Sequence, residues 1–481
     1  MRCALVRPAH RSSGYDEGTQ ECLGIGYVGA VLRERGHEVV VVDAEMEKLA
    51  DREAFERVAA SDPGLIGFSV MSEDALDSLR RLARDLREAF PRAHLTAGGN
   101  LPSFDPEWIL RLCPGIDSVI RFEGERPLLE LAERLRSGRD FRAVPPAASV
   151  DDLDALPFPI RDTLPIALKN GWMAPISSSR GCHARCSFCA VHRFNLDPAR
   201  PWRFRSPAGV ADEIDGLVAD FGVREVNFVD DDFIGNRKQG QPRARELAAE
   251  LIRRGLKVGF SLQCRAEWID RATFRPLKAA GLRMVFFGVE AVDEESRRRY
   301  GKPQSRELVR RTLELLDELD VYAHVGFIMF NPWTRLEDVR EAVEFLRDIG
   351  HLNIHTATNF LQLSPGTPLL EPLAAGGMAF REPHGGYRWS FADPRTASVK
   401  AVFDRVLWPQ FPAWYESLMA KWSVLTARRS DERCAHDLRR MDDLVHDVAI
   451  RTLDAIESDP GVDLFALVRE LSERTACAAR S

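Results

Sequence analysis

Short apolar runs alternate with amphipathic stretches along the first third of the chain. The runs are Cys3-Ala4-Leu5-Val6, Val39-Val40-Val41-Val42, Leu65-Ile66-Gly67-Phe68, His94-Leu95-Thr96 and Ser118-Val119-Ile120. Between them, Tyr27 to Arg35, Leu76 to Phe90 and Pro127 to Leu135 place apolar residues at helical spacing. Continuous apolar runs read as strands covered on both faces, and the intervening helices supply the cover. The first segment is therefore expected to hold a parallel sheet between two helical layers.

Five such units over residues 1–149 make a Rossmann-like domain, with its ligand beyond the C-terminal strand ends. The loops at those ends are Pro8 to Gly24, Ser69-Val70-Met71-Ser72, Ala97-Gly98-Gly99-Asn100 and Glu123-Gly124-Glu125. Paired glycines let backbone approach a bulky ligand closely, or simply make a tight turn. No G-x-G-x-x-G follows the first strand, which speaks against a nicotinamide site. A stiff stretch comes next: Pro145-Pro146, then Asp151-Asp152-Leu153-Asp154-Ala155-Leu156-Pro157-Phe158-Pro159. Prolines stop helices, so residues 150–173 are read as a linker.

The alternation resumes on a longer period over residues 174–380. Expected strands are Ala174–Ser179, Glu225–Val229, Val258–Gln263, Met284–Val289, Ala323–Met329 and Asn353–Leu363. Expected helices are Gly209–Phe221, Ala244–Arg254, Ser305–Leu319 and Leu336–Ile349. Six βα units in a row imply a partial (βα)6, TIM-like barrel, with chemistry at the C-terminal strand ends. Residues 381–481 then become helical and aromatic. Trp389, Trp408, Phe411, Trp414, Tyr415 and Trp422 precede the helical patterns Asp431–Ser458 and Leu464–Ala476. Core or barrel-plug packing is the first expectation for these aromatics, and substrate contact the second.

Composition narrows the class. The chain of 481 residues carries 66 Lys plus Arg against 73 Asp plus Glu, a net charge of -7. That balance does not suggest a nucleic-acid backbone binder. MRCALVRPAH lacks a long apolar core, so no signal peptide is expected, and no run of 18 apolar residues occurs. A cytoplasmic, reduced protein without membrane contact is expected. Nine cysteines, an odd number in a long chain, argue against a disulfide framework. Cys3, Cys22, Cys113, Cys264, Cys434 and Cys477 are scattered and read as small buried hydrophobes.

The other three are clustered as Cys182-His183-Ala184-Arg185-Cys186-Ser187-Phe188-Cys189, a Cys-x3-Cys-x2-Cys spacing after the first barrel strand. Three thiolates on one loop can hold three irons of a 4Fe-4S cubane and leave the fourth iron open. An open position favours chemistry. A zinc site completed by His183 or His192 is the competing reading, but zinc favours paired C-x2-C units and no second pair is present.

This motif, with Phe188 before its last cysteine, resembles the radical S-adenosylmethionine (SAM) superfamily, and the resemblance covers about Ala174 to Pro368. It implies a 4Fe-4S cluster on Cys182, Cys186 and Cys189 whose open iron chelates SAM. One electron then cleaves SAM to methionine and a 5′-deoxyadenosyl radical. Asp230-Asp231-Asp232-Phe233, Cys264-Arg265, Gly288-Val289-Glu290, Gly326 to Pro332 with Thr334, and Ser364-Pro365-Gly366-Thr367-Pro368 are similar to that family's strand-end motifs. By resemblance, Arg265 would pair with the SAM carboxylate and Glu290 would accept hydrogen bonds from SAM. Phe188 and Asp231 would complete that site.

The domain ahead of the barrel resembles the cobalamin-binding subgroup. Leu23-Gly24-Ile25-Gly26-Tyr27-Val28, Gly36-His37-Glu38-Val39, Ala97 to Asn100, Glu123 to Glu125 and the Asp-Leu-Asp-x-Leu-Pro linker carry that likeness. Ser69, Gly98, Gly99 and Glu123 are the implied cobalamin contacts. Asp-x-His-x-x-Gly is absent, so no lower histidine ligand is supplied, as in many radical SAM members. Asn100 and His183 also depart from the usual residues.

Both domains together imply cobalamin-dependent methylation of a small molecule, of the kind met in natural-product and antibiotic biosynthesis. An electron donor such as flavodoxin or ferredoxin would serve as partner. The alternative is a cobalamin-independent radical dehydratase, epimerase or decarboxylase acting on a sugar or aminosugar. Such an enzyme needs a proton donor or base, and Tyr322, His324 and His355 are the catalytic candidates. A non-enzymatic Fe–S or B12-binding protein is a further alternative.

Overall fold

The computed structural model describes residues 1–10, 20–138, 149–194, 197, 199–382, 385–415, 417–418 and 432–480. Pro145, Pro146 and Trp422 lie outside these residues, as do positions 11–19 of the first loop and the side chains of Cys434 and Cys477.

The five apolar runs form β1 (Arg2–Arg7), β2 (Glu38–Asp43), β3 (Leu65–Ser69), β4 (His94–Gly98) and β5 (Ser118–Val119). All pair in parallel, in the order β2-β1-β3-β4-β5. Alternate side chains feed two separate cores. Ala4, Val6, Ile66 and Phe68 pack on one face, and Cys3, Leu5 and Leu65 on the other. That is why each run is apolar throughout. Helices Asp51–Ala60 and Leu76–Ala89 pack together, as do Leu23–Glu34 and Glu125–Arg136. Chain order reverses between β1 and β3, which opens a ligand crevice above the strand ends there. The linker docks on the first helix: a Cβ on Gly29 would sit 2.4 Å from Ile160 Cδ1.

The second sheet contains β6 (Ala174–Ile176), β9 (Glu225–Phe228), β10 (Gly259–Gln263), β11 (Leu282–Glu290) and β12 (Tyr322–Phe327). Its order is β12-β11-β10-β9-β6, and every pair is parallel, so successive strands are neighbours. A separate antiparallel ribbon joins β7 (Ser179–Gly181) and β8 (Trp202–Phe204). Phe228, Phe260, Phe287 and Phe327, one from each of β9 to β12, are fully buried. Each stabilises the barrel by roughly 1.5–3 kcal/mol.

Two expectations are corrected. The first barrel strand stops at Ile176 rather than Ser179, because the Asp230 carboxylate takes the backbone N–H groups of Ser178 and Ser179. Asn353–Leu363 is not a sixth strand. Asn353 Oδ1 accepts the Thr356 N–H at 3.0 Å, and this cap starts a helix, Ile354–Thr358. A single parallel bridge, Phe330 to Phe360, stands in the sixth position.

The C-terminal region opens with an antiparallel ribbon, β13 (Ala379–Arg381) and β14 (Tyr387–Trp389). Arg381 ties it to the first domain: Nη1 is 2.6 Å from Asp105 Oδ2, and the guanidinium lies 3.6 Å from the Trp108 ring centroid. Helices Pro394–Val406, Glu432–Ser458 and Leu464–Arg480 follow. Val399, Val402, Phe403, Val445 and Val448 join the barrel core, so this region is part of that body. Among the described residues, no helix is long and apolar enough to cross a membrane.

Candidate functional site

Asp230 sets where the cysteine loop begins. Its Oδ1 accepts the Ser178 and Ser179 N–H groups at 2.6 and 2.9 Å, and its Oδ2 accepts the Ser178 hydroxyl. The chain leaves the sheet, forms β7, and enters the loop at Cys182. Further along, Ser187 N–H donates to Tyr300 O at 3.0 Å, and Leu369 N–H donates to Ser187 O at 2.9 Å. Phe188 stands edge-on to Tyr300 at 5.1 Å. The loop is thus pinned to the barrel on both sides.

Cys182, Cys186 and Cys189 are free thiols. Ala184 N–H approaches Cys182 Sγ at 3.4 Å, and Arg265 Nη1 approaches Cys186 Sγ at 3.5 Å. Each of these two sulfurs faces an N–H donor on a loop that carries all three cysteines, so the loop fits cluster ligation. Burial pushes the Cys182 thiol up to about 12 and the Cys189 thiol up to about 11, so metal loading must displace a proton from each. A cubane spreads its cysteines over three irons, whereas zinc would gather its ligands on one ion. Among the described residues no three Cys, His, Asp or Glu side chains converge that way, and His183 Nε2 is bonded to Asn236 Nδ2 at 3.0 Å.

Cys189 opens on a cavity of about 2040 Å³ that Phe188 and Asp231 also line. A pocket for one small ligand runs to roughly 300–1,000 Å³, so this chamber has room for more than one. Across it stand Ser69, Gly98 and Gly99 of the first domain. Gly99 has φ +100°, and a Cβ there would lie 2.6 Å from Val70 O; on Gly98 it would lie 3.3 Å from Ile120 O. The chain's own backbone fills the space of both missing side chains, so the strand ends present backbone to a chamber with room for a corrinoid-sized ligand. Among the described residues, no histidine of the first domain lines the cavity.

Glu123 also lines the chamber, but its carboxylate is occupied. Arg203 grips it with Nη2 at 2.6 Å and Nη1 at 3.1 Å, and Arg180 Nη1 lies at 3.4 Å. Burial pushes its pKa up, yet the two guanidiniums outweigh that and hold it below the usual carboxylate range. Arg180 also bonds Glu125 Oε1 at 2.7 Å. This lattice joins the first domain to the ribbon that carries the cysteine loop. The arginines were missed from sequence because each partner lies more than fifty residues away.

Asp231 faces the cavity and accepts the Gly181 N–H at 3.0 Å, while burial raises its pKa. Asp232, behind Cys182, accepts the Gly235 N–H and Trp268 Nε1–H, both at 3.0 Å. Arg265 pairs with Glu267 as well as facing Cys186. Glu290, at the end of β11 with φ +67°, accepts Lys302 Nζ at 2.8 Å. Neither Arg265 nor Glu290 lines the cavity.

Of the acid–base candidates, His355 lines the chamber, whereas His324 and Tyr322 do not. His324 packs between His355, with ring centroids 5.8 Å apart, and Phe286 at 5.2 Å. Burial, then the neighbouring histidines, pushes His324 down to about 3. Burial also lowers His355, so both rings are neutral near pH 7. Tyr322 begins β12, and burial first, then the Asp442 charge, pushes it up to about 12. The far wall carries Phe360, Trp389, Lys400, Asp404 and Trp408. Of these, sequence reasoning marked only the two tryptophans.

Comparison with known proteins matches this layout. The model of the B12 binding domain matches residues 16–132, and that of the radical SAM superfamily matches residues 176–346. An uncharacterized methyltransferase of Pyrococcus horikoshii is 26% identical over 377 residues, covering 74% of this chain and 79% of that protein. An anaerobic magnesium-protoporphyrin IX monomethyl ester cyclase of Synechocystis is 27% identical over 387 residues, covering 76% and 74%. The solved structure of the cobalamin-dependent S-adenosylmethionine radical enzyme OxsB, with aqua-cobalamin and S-adenosylmethionine bound, superposes with a TM-score of 0.75 at 18% identity. It covers 99% of this chain and 75% of that one.

Proposed function

The chain belongs to the radical SAM superfamily and carries a B12-binding domain ahead of the barrel, and from that premise we infer that it methylates a small molecule with cobalamin. The observation that supports this reading is the shared chamber. Cys189 of the cluster loop and the Gly98-Gly99 cradle open on one cavity of about 2040 Å³. When bound, the cluster supplies the electron that opens SAM, and cobalamin supplies the methyl group.

The chain's own residues bind, orient and exclude. Cys182, Cys186 and Cys189 are assigned as cluster ligands, with Arg265 donating toward Cys186. Asp231 and Phe188 are assigned to the SAM side of the chamber, and Ser69, Gly98 and Gly99 to the cobalamin side. Glu123 acts as an anchor that holds the first domain to the cysteine ribbon. His355, neutral and facing the chamber, is the acid–base candidate that the cobalamin-independent alternative would use. An external donor such as flavodoxin or ferredoxin delivers the electron.

The cobalamin-independent alternative keeps the first domain as a scaffold only, whereas the match of residues 16–132 to the B12 binding domain supports its use as a binding domain. The test is product analysis on the reconstituted enzyme given SAM, a reductant and candidate substrates. S-adenosylhomocysteine and 5′-deoxyadenosine should both form, and only with cobalamin present. Turnover without cobalamin, yielding methionine and 5′-deoxyadenosine alone, contradicts this reading.

A further inference from the structure

The far wall of the chamber joins Phe360 of the barrel to residues of the C-terminal region, and its chemistry differs from that of the cofactor sides. Trp389 lies edge-on to Phe391, with centroids 4.8 Å apart, and tilts against Phe360 at 6.5 Å. Trp389 Nε1–H donates to Leu361 O at 2.7 Å, which fixes the indole plane. Trp408 stacks on Phe411 at 4.7 Å. Phe360, Trp389, Phe391 and Trp408 all line the cavity. Phe360 is 38% exposed, an apolar ring open to the chamber.

Two opposite charges stand beside these rings. Lys400 and Asp404, one turn apart on helix Pro394–Val406, line the same wall. Lys400 Nζ bonds Asp404 Oδ2 at 2.6 Å and lies 4.5 Å from the Phe360 ring centroid. The Lys400 side chain is only 17% exposed. An ammonium has three donors, and among the described residues Asp404 is its one hydrogen-bond acceptor.

We propose that this wall is the substrate subsite, and that it takes a planar aromatic group bearing a zwitterionic head: an aromatic amino acid, or that portion of a larger molecule. The inference rests on the reading of the cavity as the reaction chamber. Charge balance selects the head group. A purely anionic ligand on Lys400 crowds Asp404, and a purely cationic one on Asp404 displaces Lys400 from its partner. A ligand with both charges can take the remaining donors of Lys400 and the second oxygen of Asp404 without setting a like charge against either partner of the pair. The aromatic faces then hold the ring by offset or edge contacts.

Calorimetry on the cluster- and cobalamin-loaded full chain tests this with one ring and four heads: L-phenylalanine, 3-phenylpropionate, 2-phenylethylamine and benzyl alcohol. Phenylalanine should bind at least ten-fold tighter than each of the others. Lys400→Gln and Asp404→Asn should each lose that preference while keeping the cluster and cobalamin spectra. Asp404 is 46% exposed, so its variant folds even where the lysine variant does not. Equal binding of all four probes overturns the proposal, as does tightest binding of the acid or the amine alone, or an unchanged preference in Asp404→Asn. Cobalamin-dependent SAM products persisting in that outcome would show that the subsite has failed and the methylation reading has not.

Discussion

Two sides of one cavity are built on opposite principles. Where the first domain meets the cysteine ribbon, charges are buried and mutually consumed: Glu123 by Arg203 and Arg180, Glu125 by Arg180. On the C-terminal wall, aromatic rings line the chamber and the ion pairs Lys400–Asp404 and Arg388–Glu382 stand beside them. The first side spends its charges on one another across the two domains, so it fixes relative position. The second is the side on which the proposed substrate subsite lies. An enzyme that must bring two cofactors to one reacting carbon needs a rigid frame on one side. It can vary the other side with substrate.

Substitutions separate the two sides, beginning with the largest effect. Cys186→Ala should abolish 5′-deoxyadenosine formation while the bound cobalamin keeps its absorbance; retained SAM cleavage would remove the cysteine from the ligand set. Glu123→Gln leaves Arg203 buried without its counter-charge, which costs about 3–5 kcal/mol. A differential scanning trace should show an early transition of the first domain, and an unchanged trace would mean that the lattice does not hold the domains together.

Gly99→Ala places a side chain at φ +100° against Val70 O, a strain of about 1–3 kcal/mol. Titration should show cobalamin bound about ten-fold more weakly, with the iron content unaltered. The last effect depends on pH. His324 titrates near 3 in the folded chain and near ~6.5 unfolded. A depressed histidine contributes stability that is whole above the unfolded value and is lost as pH falls toward the folded one. At pH 5 the loss is about 2 kcal/mol. Wild type should therefore lose thermal stability between pH 7 and pH 5, and His324→Leu should lose less; parallel curves would refute the assignment.

Much of this was legible in the sequence, for identifiable physical reasons. The strands of both sheets are local apolar runs, and Cys-x3-Cys-x2-Cys is a local spacing. The alternation therefore disclosed β1 to β5 and β9 to β12, and the spacing disclosed the cluster loop. Polar elements that depend on distant partners were hidden. Ser179–Gly181 is a strand because Asp230, fifty residues on, turns the chain. Asn353–Leu363 looked like a strand by its apolar content, but the Asn353 cap made its start a helix. Lys400 and Asp404 form an ordinary i,i+4 pair in sequence, and only the fold brings them to Phe360 and Trp389.

The central claim is that the cluster loop and the glycine cradle open on the same chamber. Electron paramagnetic resonance on the enzyme loaded with both cofactors measures this directly. With the cluster reduced and cobalamin in its paramagnetic cobalt(II) state, the cluster signal should broaden and relax faster than in cobalamin-free enzyme. A spectrum that is the plain sum of the two separate signals would place the cofactors in different compartments and contradict the account.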